Sequence, residues 1–189
     1  KHSILPEPTL SMSYVFSSVL DGEMSYGFVR TAKDIATLYD GLIMRNYRTL
    51  TAYQPDLTRG YSNTFSAKLN YKDVFKMMFA GAGVYYSLGR PKVLYGYNYD
   101  GIYAEAVGMR TDELSHSVRA EVDFSKGFHW ANTTVKAEAD VIVSEHPYLA
   151  QDRITRTRGN VVQLGVYLTM EPWKWMNLSY SGEFMRSQS

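Results

Sequence analysis

Polar and apolar residues alternate one for one along most of this chain, and a helical period is almost nowhere to be found. In "TLSMSYVF" Leu10, Met12, Tyr14 and Phe16 share one face, with Thr9, Ser11 and Ser13 on the other. "EMSYGFV" puts Met24, Tyr26 and Phe28 together. "YSNTFSAKLNY" separates Tyr61, Phe65, Ala67, Leu69 and Tyr71 from Ser62, Thr64, Ser66, Lys68 and Asn70. "MFAGAGVYY" is the least polarised, because Phe79, Gly81, Gly83 and Tyr85 oppose Met78, Ala80, Ala82, Val84 and Tyr86. The stretch 116–143 divides into Val118, Ala120, Val122, Phe124, Val135, Ala137, Ala139 and Val141 against Arg119, Glu121, Asp123, Lys136, Glu138 and Asp140. "VVQLGVYLTME" and "MNLSYSGEF" repeat the pattern. The alternation predicts about eight long strands in an antiparallel all-β meander.

A soluble sandwich shows the same alternation, with its apolar face turned to a core. The connections separate the two architectures. Those near 18–23, 72–76, 126–129 and 171–175 are short, while those near 31–60, 88–114 and 145–160 are long. Short and long connections therefore fall at opposite ends of the strands, an asymmetry that outer-membrane barrels have and compact soluble domains rarely need. Phe75, Phe79, Phe128, Trp130, Trp173 and Trp175 gather by the short turns, as an interfacial aromatic girdle would. The expectation is an outer-membrane β-barrel wall with lipid on the apolar face, and a soluble or surface-exposed β-sandwich binding module is the alternative. With the short turns periplasmic, the first strand runs towards the periplasm and the last runs away from it. The chain then reads as a barrel segment over 1–189, without a plug domain, inside a larger barrel.

Composition narrows the chemistry. A formal net charge of +1 gives no field for nucleic acid. With no cysteine there is neither a disulfide framework nor a thiolate metal site. A mean hydropathy of −0.29 suits a barrel as well as a soluble domain, since half of each barrel strand faces a wet interior. Sixteen tyrosines favour strands and interfaces. The four histidines, His2, His116, His129 and His146, are dispersed without ligand spacing, so no metal and no other cofactor is expected. No nucleophile elbow, phosphate loop or dinucleotide fingerprint occurs, and no Ser–His pair is evident in the sequence, so the reading is not an enzyme.

The stretch "PTLSMSYVFSSVLDGEMSYGFVRTAKDIATLYDGLIMRNYRTLTAYQPDLTRGYSNTFSAKLNYKD" (8–73) resembles the barrel of TonB-dependent receptors of the Bacteroidota type. The matching elements are "SYGFVRTAKDIATLY" (25–39), "RNYRTL" (45–50) and "YQPDLTRGYSNTFSAKLNY" (53–71). Gln54 stands where that family has Asn, and Thr58-Arg59 where it has a basic residue and proline. "EPWKWMNLSYSGEF" (171–184) is similar to the family's turn–Trp–strand hairpins. The resemblance implies an outer-membrane transporter for nutrient uptake. Its partners would be the membrane lipid, the rest of the parent barrel and its plug, and, through the parent protein, TonB and a surface lipoprotein.

The candidate ligand residues lie in the connection "KVLYGYNYDGIYAEA" (92–106). Tyr95, Tyr97, Tyr99 and Tyr103 offer rings for stacking, and Asn98 and Asp100 offer hydrogen bonds. The same residues also read as an extramembrane hairpin with Asp100-Gly101 as its turn and the tyrosines paired across strands, and that simpler reading is preferred. Arg153, Arg156 and Arg158 mark "EHPYLAQDRITRTRGN" (145–160) as a solvated loop with a possible anionic contact.

For 116–143 the charges predict a register. Pairing Lys126 with Ala131 leaves "GFHW" as the loop and sets Arg119 opposite Glu138 and Glu121 opposite Lys136. The strands are then expected near 115–126 and 131–144.

Overall fold

The computed structural model describes residues 6–31, 42–46, 49–52, 60–101 and 103–188. They form one twelve-stranded sheet, almost wholly antiparallel. Its wall is an eight-strand meander: β1 (Thr9–Ser17), β2 (Leu20–Thr31), β5 (Gly60–Asp73), β6 (Met78–Arg90), β9 (Ser115–Phe128), β10 (Thr133–Ala150), β11 (Arg153–Trp173) and β12 (Met176–Gln188). Two inserted hairpins, β3–β4 (Leu42–Asn46, Thr49–Ala52) and β7–β8 (Val93–Asp100, Tyr103–Arg110), lie in the first two long connections. The eight alternating stretches thus become the eight wall strands, each paired with its neighbours in chain order. The first long connection, near 31–60, falls largely outside the described residues.

The wall is a single layer. Its only buried apolar residues among those described are Ala106 and Leu149, and neither belongs to an alternating stripe. Register aligns the stripes into rows across the sheet. One row runs Tyr14, Gly22, Leu69, Ala82, Val122, Ala139, Leu164, Phe184, and the next runs from Leu20 through Tyr71, Ala80, Phe124, Ala137 and Val166 to Gly182. This face is open: Leu10 is 68% exposed, Val122 55% and Leu164 46%.

Two sequence expectations are corrected. The register of β9 and β10 sets Arg119 opposite Ile142, Glu121 opposite Asp140 and Asp123 opposite Glu138. A four-residue loop does join them, but it is His129–Asn132, a 3-10 turn in which Ala131 and Asn132 take positive φ and the Thr133 hydroxyl donates to the Trp130 carbonyl at 2.7 Å. The cause lies in the neighbouring hairpin. Gly127 is not a turn glycine; its N–H donates to the Met77 carbonyl at 2.8 Å, and an added Cβ would sit 3.0 Å from Met77 Cβ. Close approach between two turns claims the residue that a lone hairpin would spend on its own loop. Both registers keep every side chain on the same face, so the stripes survive.

The third long connection is also not a loop. β10 and β11 stay paired out to Ala150 and Arg153, and the turn is Gln151-Asp152, both at positive φ. β9 begins only at Ser115, and beyond it β7 takes its place beside β10, in parallel, through Leu149 opposite Gly96 and Ala150 opposite Tyr97. Pro147, which has no N–H to give, falls between the ladder to β9 and this contact. Gly96 is required there, because any Cβ would run into the Leu149 carbonyl. Asp152 N–H then donates to Asn98 Oδ1 at 3.1 Å, which ties the tip to the inserted hairpin.

Replacing Gly96 with valine should therefore release β7–β8 from the β10–β11 tip without opening the wall. In amide hydrogen exchange, the Tyr97 and Asp152 N–H groups should lose protection while Leu164 keeps its own. Unchanged protection at Asp152 would show that the tip is held by something other than the Gly96 notch.

Candidate functional site

Three surfaces carry the chemistry: the apolar face, the polar face, and the hairpins at the long-connection end.

On the apolar face the band has defined limits. Along β10 it runs from Val135 to Val143 and along β11 from Val162 to Met170, which is roughly 27 Å of strand at ~3.3 Å per residue. At a tilt of ~40° this spans about 20 Å, near the ~25 Å apolar band of outer-membrane barrels. His116, Glu145 and Arg158 form a polar row beyond one end; at the other end Lys126 and Asp73 stand in the same row as Val135 and Leu168. Val122, Phe124, Val135, Ala137, Leu164, Val166, Leu168 and Leu178 all share this face. Shallow apolar troughs of about 550 and 390 Å3 run over it where Ala67, Ala82 and Ala120 separate larger side chains such as Met12, Met24 and Phe65. At the short-turn end, Phe75 is almost fully exposed, Trp130 stands out from its turn, and Trp173 stacks on Trp175 with centroids 5.6 Å apart.

The polar face holds an ionic lattice that only its alternating charges foreshadowed. A cleft of about 600 Å3 lies along β9–β12. In it Arg119 bridges Asp140 at 2.6 Å and Glu121 at 3.2 Å. Glu121 also accepts from the Tyr85 hydroxyl at 2.5 Å and lies 3.7 Å from Lys68. Lys136 pairs with Glu138 at 2.7 Å, and Tyr167 donates to Glu183 at 2.9 Å. Glycines make room for the acids: an added Cβ at Gly81 would collide with the Asp123 carboxylate, and one at Gly83 would come within 3.1 Å of Glu121. The glycines of "GAG", unassigned beyond a bend or close packing in the sequence, are thus the floor beneath two carboxylates.

At the long-connection end, Tyr95, Tyr97 and Tyr99 line one face of β7, exposed, opposite Gly108, Ala106 and Ala104. Tyr97 and Tyr99 have ring centroids 6.4 Å apart. The rings thus stand over small residues rather than pairing with one another across strands. Asp100 pairs with Tyr103, so the turn starts at Gly101, one residue later than expected. Gly101, at φ 58, supplies the left-handed position. Asn98 is engaged with Asp152 and so is structural; the side chains of Asp100 and Tyr103 lie outside the described residues. Nearby, Arg156 pairs with Glu113 and Glu145. The hydrogen bond from Lys92, reinforced by the charges of Lys92 and Arg90, holds the Asp112 carboxyl below its ordinary value.

The fold also makes a pair the sequence did not reveal. Ser115 Oγ and His146 Nδ1 meet at 2.5 Å across β9 and β10. Among the described residues no carboxylate contacts His146, so the third member of a nucleophile-activating relay is missing.

Removing the Arg119 guanidinium leaves Asp140 and Glu121 facing each other with no cation between them. Arg119→Gln should lower stability by roughly 0.5–1.5 kcal/mol, a range discounted for a half-exposed group. Adding Asp140→Asn should recover part of it, measured as a double-mutant cycle by urea unfolding. Strict additivity would mean that the two side chains do not interact.

No protein-family model, no curated protein and no solved structure matches this chain, so its function is argued from these surfaces.

Proposed function

We propose that this chain is part of the wall of an outer-membrane β-barrel of the TonB-dependent receptor type, serving nutrient uptake. The observation that carries the reading is the apolar band, which is one layer deep, uncovered by any described residue and continuous across eight strands, with a polar row beyond its long-connection end and Lys126 and Asp73 in its last row at the short-turn end. A lipid bilayer is the medium such a band fits. The aromatic residues at the short-turn end and the inserted hairpins at the other end support the same orientation. A β-sandwich would require a second layer over the apolar face, and the described residues form one layer. The receptor type rests on the resemblance of 8–73. On this reading the polar face lines the lumen or meets a plug, and the tyrosine row of β7 stands at the outer mouth as the surface a passing ligand meets.

Two measurements test it. Leu164→Arg should lower stability by roughly 2–4 kcal/mol in vesicles if the site is near the bilayer midplane, whereas Gln163→Arg, on the polar face, should change it by much less. Equal tolerance at both positions would refute a lipid-facing Leu164. Cysteine placed at Asp152 should react with an impermeant maleimide on intact cells, and cysteine at Phe75 only after the outer membrane is opened. The reverse pattern would invert the topology.

A further inference from the structure

Lys126 and Asp73 lie in the last row of the apolar band at the short-turn end; towards the other end one full charge stands inside the band among the described residues. Arg186, on β12, shares the apolar face beside Val162, two rows inside the polar row of His116, Glu145 and Arg158. Among the described residues its exposed side chain meets no acid. Arg158, four residues along β11 from Val162 and on the same face, is also exposed and also without an acid partner among the described residues. Its cross-strand neighbour Glu145 is already engaged by Arg156 at 3.2 Å and lies 3.7 Å from His116. Across the wall, Arg30 stands on β2 on this same face, near the same end, with its guanidinium 5.6 Å from the centre of the Phe28 ring. The opposite end of the band differs. There Lys76 pairs with Asp73 at 3.4 Å, and Lys126 Nζ donates to the Lys76 carbonyl at 2.5 Å. Guanidinium groups thus collect at one rim of the apolar face, Arg158 and Arg186 without an acid among the described residues and Arg90 and Arg156 with one, while lysines and tryptophans occupy the other.

We infer that the rim at the long-connection end binds the phosphate groups of membrane lipids through Arg158 and Arg186. The inference rests on the wall reading above. A guanidinium presents a planar fork of donors that matches phosphate oxygens, and it is less strongly hydrated than an ammonium. The long stem of Arg186 can lie along the apolar surface while its head reaches the headgroup level. Arg158 stands roughly 13 Å further along the strand, a spacing that suits separate headgroups rather than one small anion. Continuity with the apolar band identifies the occupant as a lipid, because acyl chains on the band bring the phosphate to the rim.

The test compares the full-length protein in vesicles of phosphatidylcholine alone and of phosphatidylcholine mixed with phosphatidic acid. The anionic lipid should slow unfolding in urea. The Arg158→Gln/Arg186→Gln variant should lose roughly 25-fold of that slowing, at about fivefold per basic side chain near an anionic surface. High salt should reduce the effect in the parent protein. Lys126→Gln, at the other rim, should keep the full gain. A parent protein that enters neutral vesicles but gains nothing from phosphatidic acid overturns this inference and leaves the wall reading standing, as does a double variant that keeps the gain. Failure to enter neutral vesicles overturns both.

Discussion

Everything in this fold depends on an apolar face that no part of the described chain covers. Each large apolar side chain left in water forgoes about 1.5–3 kcal/mol of transfer free energy. Leu10, Met12, Met24, Phe65, Leu69, Val84, Val122, Leu164, Val166 and Phe184 are all exposed there. At about half exposure each, together they are comparable to the 5–15 kcal/mol by which a typical domain is stable. On the proposed reading that side faces an apolar medium, and the remaining features of the sheet are organised around it. The backbone is satisfied internally by ladders between consecutive strands, as any chain in lipid requires. Among the described residues, buried side chains lie at the ends of the wall and in the inserted hairpin, at Asp73, Thr133, Leu149, Ala106 and Thr111.

The polar face obeys a different rule. Glu121 sits opposite Asp140, and Asp123 opposite Glu138, pairings that an isolated hairpin would avoid. They are tolerable because the sheet supplies cations from the side. Arg119 reaches diagonally to Asp140 and along its own strand to Glu121, Lys68 approaches from β5, and Lys136 holds Glu138. The unit of electrostatic balance is four strands wide. Gly81 and Gly83 complete it by leaving space into which the acids fold.

This explains what was legible in the sequence. Which face each residue occupies is a local property of period two, so the stripe Val122, Phe124, Val135, Ala137 was readable and stayed on one face despite a wrong register. Register is not local: charges on β9 and β10 alone favoured Arg119 opposite Glu138, but the decision belonged to β5, β6 and the Met77 turn. Loops were misread for a related reason. "EHPYLAQDRITRTRGN" lost its apolar stripe because it leaves the band, and the absence of a stripe was taken for absence of a strand. Its backbone continues pairing to the tip regardless. In "KVLYGYNYDGIYAEA" the hairpin itself was readable from its glycine turn. The small partners of the tyrosines were not, since they follow from a turn one residue later than Asp100-Gly101 suggested.

The end that projects beyond the band shows how a barrel-like wall can carry a defined mouth without a conventional core. β10 and β11 rise past the start of β9 and would stand as an unsupported ribbon, which is marginal in water. Leu149 packs into the notch at Gly96, Asn98 accepts from the turn at Asp152, and β8 in turn pairs with β4 through Thr49–Thr51 and Ala104–Ala106. Parallel contacts of two or three residues would be weak alone. Here they bind hairpins that are each antiparallel and internally paired, so a few contacts fix the relative position of preformed units. The tyrosines of β7 are held in place as a result: the backbone under them is fixed on one side by β8 and on the other by the tip of β10. The tyrosine surface proposed for ligand contact is thereby built on strands rather than on an unstructured loop, and the Gly96 notch, the Asn98–Asp152 bond and the β4–β8 pairing set its position.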